Sequence, residues 1–109
     1  MPDILLATIN ARYAHASLAL RSLHANLGPL AQRAVLHEFI LGADTAAMAE
    51  ELLADRPRII GLGVSIWNAA ESAALVRLLK AVAPETVVVL GGPEVSHLPH
   101  RVDFSAADY

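Results

Sequence analysis

The chain contains no cysteine in 109 residues. That absence excludes disulfides, thiolate zinc sites, cysteine nucleophiles and cysteine-held iron–sulfur clusters within it. Charged residues are also scarce, at 17% with a net charge of −3. The few basic ones are spread along the sequence rather than clustered, which leaves no electrostatic footprint for nucleic acid. No apolar stretch approaches the roughly eighteen uninterrupted residues that a membrane helix needs. The start, Met1-Pro2-Asp3, lacks the basic residues of a secretory signal, so a cytoplasmic location is expected. Repeats, low-complexity tracts and linkers are missing as well.

What is present is a rich supply of core material, 55% hydrophobic residues arranged in short runs. One packed domain over residues 1–109 follows from that length and composition. The first run, Ile4 to Ile9, is apolar enough for a strand covered on both faces, as central strands of parallel sheets are. A polar loop, Asn10 to Ser17, follows it. Ser17 is placed to cap a helix whose Leu20, Leu23 and Leu27 form one stripe, and Gly28-Pro29 stops that helix. Arg33 to Leu41 alternates in part and suits a strand nearer the sheet edge.

Asp44 is a good cap for a second helix, with Met48 and Leu52 inward and Glu50 and Glu51 outward, running to about Asp55 before Pro57. Arg58 to Ser65 is a second doubly buried strand, whose Gly61 and Gly63 suggest close approach of a helix or ligand. After the Ile66-Trp67 loop, Asn68 and Glu71 have capping-box spacing, and Leu75, Leu78, Leu79 and Val82 form the buried stripe of a third helix. Pro84 ends it. Thr86 to Leu90 is a further core strand that turns sharply at Gly91-Gly92-Pro93-Glu94. From Val95 to Tyr109 no helical stripe is visible.

Strands alternating with helices make a run of right-handed βαβ units, hence a parallel sheet with helices on both faces. The expected fold is α/β: a flavodoxin-like, Rossmann-like doubly wound sheet of strand order 2-1-3-4. A fifth strand would follow residue 100 or so, and its lack suggests an N-terminal piece of a longer protein.

In such a sheet the loops after the first, third and fourth strands share one edge, the place where open α/β sheets hold ligands. The candidate site therefore comprises Asn10, Arg12, Tyr13, His15, Ser17, Ser65, Trp67, Asn68, Gly91, Gly92, Pro93 and Glu94. These groups suit a large ligand that is partly polar and partly flat. A dinucleotide pyrophosphate is disfavoured because Asn10 to Ser17 contains no glycine to admit it. A phosphate-accepting magnesium site is disfavoured because the first and third strands end without carboxylates. Flavin mononucleotide would need a loop richer in Ser and Thr, and no nucleophile elbow is present.

Three segments together, Leu5 to Leu23, Gly61 to Asn68 and Val88 to Ser96, resemble the N-terminal cobalamin-binding domain of cobalamin-dependent radical S-adenosylmethionine enzymes. The resemblance covers nearly the whole chain. It implies a cobalamin-binding module that is not catalytic alone. The iron–sulfur cluster and S-adenosylmethionine would belong to a downstream domain, which would be its partner in the parent chain.

The wider cobalamin-binding fold carries an Asp-x-His-x-x-Gly motif in its first loop. His15 matches the histidine, but Tyr13 stands for the aspartate and Leu18 for the glycine. Ser65 matches the serine after the third strand, and Gly91 and Gly92 match the final glycine pair. His15 is thus either a cobalt ligand or a residue that lines the pocket; an imidazole without its orienting aspartate is a poor ligand, which favours lining. His24, His37, His97 and His100 have no metal-ligand spacing and read as surface or structural residues. Two alternatives stand beside this reading. One is a cofactor-free interaction domain, whose open sheet edge would also allow a homodimer. The other is a small-molecule enzyme using His15 as general base.

Overall fold

The structure, a computed structural model, describes residues 3–10, 18–65, 68–92 and 103–109. Four strands, β1 (Ile4–Asn10), β2 (Ala34–Ile40), β3 (Ile59–Gly63) and β4 (Val87–Gly91), alternate with α1 (Leu18–Ala25), α2 (Thr45–Leu53) and α3 (Ala69–Val82). All three pairings are parallel and the strand order is β2-β1-β3-β4. This is the flavodoxin-like arrangement expected from the alternation of elements. Right-handed crossovers carry α1 over one face of the sheet and α2 and α3 over the other, and α2 packs directly on α3.

The core forms where the central strands meet α2 and α3. Leu5, Ala7 and Ile9 of β1 join Ile60 and Leu62 of β3, Val88 of β4, Met48 and Leu52 of α2, and Leu75 and Leu79 of α3. β1 is buried along its middle five positions because it has a strand on each side and helices on both faces. Asp44 caps α2 as its position suggests, its carboxylate accepting from the Ala47 amide at 3.0 Å. Met48 and Leu52 point inward while Glu50 and Glu51 are exposed.

Several local expectations are corrected. α1 ends at Ala25, and Gly28, at φ +61, opens a 3-10 turn, Gly28–Arg33, that the pattern did not suggest. Leu20 is buried but Leu23, expected on the same inward stripe, is 50% exposed. An eight-residue helix on a narrow sheet rests on fewer positions than a full stripe assumes. In α3, Leu75 and Leu79 are fully buried and Leu78 is half-buried, whereas Val82 is 64% exposed. Val82 is the last residue of the helix.

β2 and β3 begin and end one or two residues inside the expected limits, whereas β1 runs on to Asn10 and β4, Val87–Gly91, sits one residue later than expected, so Arg58, Ser65 and Thr86 flank the strands. Ile59 and Val89 are partly exposed, so the outer parts of β3 and β4 are less covered than doubly buried strands would be. The close neighbour at Gly61 and Gly63 is β1 rather than a helix or ligand. A Cβ at Gly61 would lie 3.0 Å from Leu6 Cδ2, and one at Gly63 would lie 3.5 Å from Thr8 Oγ1.

The residues at the end of the chain lie along the outer edge of β4. The Leu90 amide donates to the Tyr109 carbonyl at 3.1 Å and the Tyr109 amide to the Val88 carbonyl at 3.3 Å, the exchange made by parallel neighbours. Lys80 locks this segment, its ammonium donating to the carbonyls of Pro84 and Thr86 and to Asp108 Oδ2 at 2.8 Å.

Candidate functional site

The carboxyl ends of β1, β3 and β4 lie side by side, so the segments that leave them gather at one edge of the sheet. Asn68, wholly buried at the start of α3, ties two of these ends together. Its Nδ2 donates to the Ile9 carbonyl at 2.9 Å, while its Oδ1 accepts from the Ser65 amide at 2.8 Å and from Ser72 Oγ at 3.3 Å. The expected capping box is therefore not formed. Asn68 spends its side chain on β1 and on the turn that precedes it instead of on the helix's own amides, and the backbone around it closes through the Asn68 amide and the Ser65 carbonyl at 3.2 Å.

Glu71, the other half of that expected box, has its Oε2 buried with no hydrogen-bond partner among the described residues. A desolvated carboxylate oxygen without a donor is costly. Glu71 lies in the first turn of α3, three residues after Asn68.

The β4 end is brought in by glycine. Gly92 adopts φ +110, and a Cβ there would lie 2.4 Å from the Val64 carbonyl oxygen. The turn can thus sit on the end of β3 only without a side chain, and the Val64 amide donates to the Gly91 carbonyl at 2.8 Å. Gly91 faces open space, with nothing within 4 Å of an added Cβ. The result is a bare, exposed backbone surface at the rim. Beneath it Val64, Ala69, Ala73 and Phe104 form a small apolar cluster.

On the β2 side, Asn10 Nδ2 donates to Glu38 Oε1 at 3.3 Å, and Arg21 of α1 holds the same carboxylate through two hydrogen bonds of 3.1 and 2.8 Å. That hydrogen bonding to Glu38 raises the Arg21 pKa above its ordinary value. Asn10 is accordingly committed in part to holding α1 against the sheet. Of the predicted site residues, Asn10, Ser65, Asn68, Gly91 and Gly92 lie on the described structure, and all five fall at this edge. Arg12, Tyr13, His15, Ser17, Trp67, Pro93 and Glu94 lie outside the described residues. His24 and His37 are structural: His24 Nε2 lies 3.2 Å from the Ala34 carbonyl, and His37 stacks on Phe39 and sits 3.6 Å from Glu51.

With this geometry in view, comparison with known proteins decides the family. The profile described as "B12 binding domain" matches residues 4–109. The chain belongs to the B12 binding domain family. No curated protein matches it. The B12 binding domain assignment makes cobalamin the cofactor to test against the site. The described residues fit it: the exposed Gly91-Gly92 backbone, free of side chains, leaves a flat approach at the carboxyl edge of the sheet. Among the described residues no group of three His, Cys, Asp or Glu is placed to hold a free metal ion. A corrin brings its own nitrogen ligands to cobalt and needs no such group. Among the same residues no helix is long and apolar enough to cross a membrane.

Proposed function

We propose that this B12 binding domain is the cobalamin-holding module of a radical S-adenosylmethionine enzyme, and that it positions the cofactor without catalysing a reaction alone. The observation that carries the reading is the bare Gly91-Gly92 backbone held against Val64 at the edge where Asn68 also fixes the ends of β1 and β3. The corrin would lie over this edge, and Ser65 would serve its polar periphery from the α3 side, on a turn whose position Asn68 fixes. Asn10, Arg12, Tyr13 and Ser17 would form the opposite wall, with Trp67, Pro93 and Glu94 along the rim and His15 lining the pocket. Bound cobalamin supplies cobalt–carbon bond chemistry; this chain supplies position.

The radical S-adenosylmethionine context rests on the resemblance of residues 5–23, 61–68 and 88–96 taken together. Because the chain has no cysteine, the iron–sulfur cluster must be carried by another domain. That domain would be a continuation of the parent chain facing the exposed side of the corrin. A cofactor-free interaction domain is the second reading, favoured by Tyr13 and Leu18 standing where the fold's usual aspartate and glycine would be.

Incubation with hydroxocobalamin followed by desalting separates the two. A retained corrin absorption band at one equivalent is expected, and a colourless protein after desalting would overturn the proposal for this chain. In the parent reading frame, a downstream Cys-x-x-x-Cys-x-x-Cys motif is the expected companion.

A further inference from the structure

Two adjoining cavities are lined by none of the candidate site residues. The first, a cleft of about 810 Å³, opens at the amino ends of the four strands, where α2 and α3 also terminate. The second, about 410 Å³, is a groove between α2 and α3 walled by Ala49, Leu53, Leu78 and Val82. Leu53 and Val82 line both, so groove and cleft are continuous. The exposure of Val82, unexpected from the helical pattern, belongs to this feature.

Cations that are scattered in sequence gather here. Arg33, Arg56 and Arg58 all line the cleft. Arg33 is engaged by Asp3, but Arg56 and Arg58 make no ion pair with any described residue. A single further carboxylate, Glu85, also lines the cleft. Arg56 is also the one described non-glycine residue with positive φ, at +49. Backbone held in that region costs energy and recurs where a side chain must be aimed.

We propose that groove and cleft together form a binding site for an amphiphilic carboxylate, with its aliphatic tail between α2 and α3 and its head on Arg56 and Arg58. Each half matches its chemistry. A groove whose one charged lining residue is Glu50 takes a hydrocarbon chain along its apolar wall, and a guanidinium takes a carboxylate in the forked geometry that lysine cannot offer. The site lies on the other edge of the sheet from Gly91-Gly92 and does not depend on cobalamin.

The test is titration of the isotope-labelled chain with decanoate below its micelle concentration, followed by amide NMR. Saturable shifts confined to residues 49–58 and 78–87 are expected. Decanol, which has no charge, should bind at least tenfold more weakly, as should decanoate to the exposed double variant Arg56→Gly/Arg58→Gln; glycine is chosen at 56 because it accepts the positive φ. Val82→Asp should weaken binding through the tail alone, and an unchanged melting temperature would show that each variant folds. Three results would overturn the proposal: no saturable shift with decanoate, equal binding of decanol and decanoate, or association with phosphatidylglycerol vesicles by a protein that ignores monomeric decanoate.

Discussion

Asn68 Nδ2 donates to the Ile9 carbonyl at 2.9 Å across 59 residues of sequence. This contact joins the helix after the third strand to the end of the first, and so fixes the two walls of the candidate site relative to each other. Asn68→Ala removes this bond and those from the Ser65 amide and Ser72 hydroxyl, three hydrogen bonds at a wholly buried position. A loss of about 2–4 kcal/mol in urea unfolding is expected. Among the molecules that remain folded, retention of hydroxocobalamin should fall as well.

Gly92 and Gly42 provide a matched pair. Both have positive φ, +110 and +96, but an added Cβ meets the Val64 carbonyl at 2.4 Å in one case and open space in the other. Gly42→Ala should cost about 1 kcal/mol from backbone strain alone, and Gly92→Ala clearly more, because strand ends must separate. Chemical denaturation of the two variants under identical conditions checks the order, and equal losses would contradict the close approach.

The two ends of one expected stripe should behave differently. Leu75 is fully buried in the core, and its replacement by alanine should cost about 2–5 kcal/mol. Val82→Ala should stay within about 0.5 kcal/mol, as surface changes do. Thermal or urea midpoints distinguish these.

Asp108 gives the molecule an acid-sensitive contact. The Lys80 hydrogen bond first, and the Val88 amide second, hold its pKa below the ordinary carboxylate value. The unfolded chain therefore binds a proton more readily than the folded one. The stabilisation is present above the unfolded value, about pH 4, and is lost as pH falls through the lower folded value. Asp108→Asn should flatten the pH dependence of the urea midpoint below about pH 4. A wild-type slope unchanged by that replacement would contradict this linkage.

His15→Ala should leave the absorption spectrum of the cobalamin-loaded protein unchanged if His15 lines the pocket without touching cobalt. A shift in the corrin bands would instead assign it as the lower axial ligand.

Much of the architecture was legible because it depends on local pattern. The doubly covered run Ile4–Ile9, the Asp44 cap, the inward Met48 and Leu52, and the stop at Pro84 each follow from burial period and backbone chemistry within a few residues. The candidate site was legible as a set of strand ends, since parallel topology places Asn10, Ser65, Asn68, Gly91 and Gly92 at one edge. What each of them does there was not. The spacing of Asn68 and Glu71 has the form of a capping box, yet Asn68 serves Ile9 and Ser65 instead, because the first strand's end offers it a buried acceptor.

The sequence by itself determined the alternation of strands and helices, and hence the parallel order β2-β1-β3-β4, because hydrophobic period and turn residues act over short distances. Tertiary structure alone decided which apolar residues of the expected stripes stay exposed, as Leu23 and Val82 do, and which glycine is pressed on a neighbour, as Gly92 is on Val64. It also drew Arg33, Arg56 and Arg58 into one cleft from positions that look scattered along the chain. These outcomes depend on where elements end relative to one another in space, and that distance is set by packing rather than by any residue's own propensity.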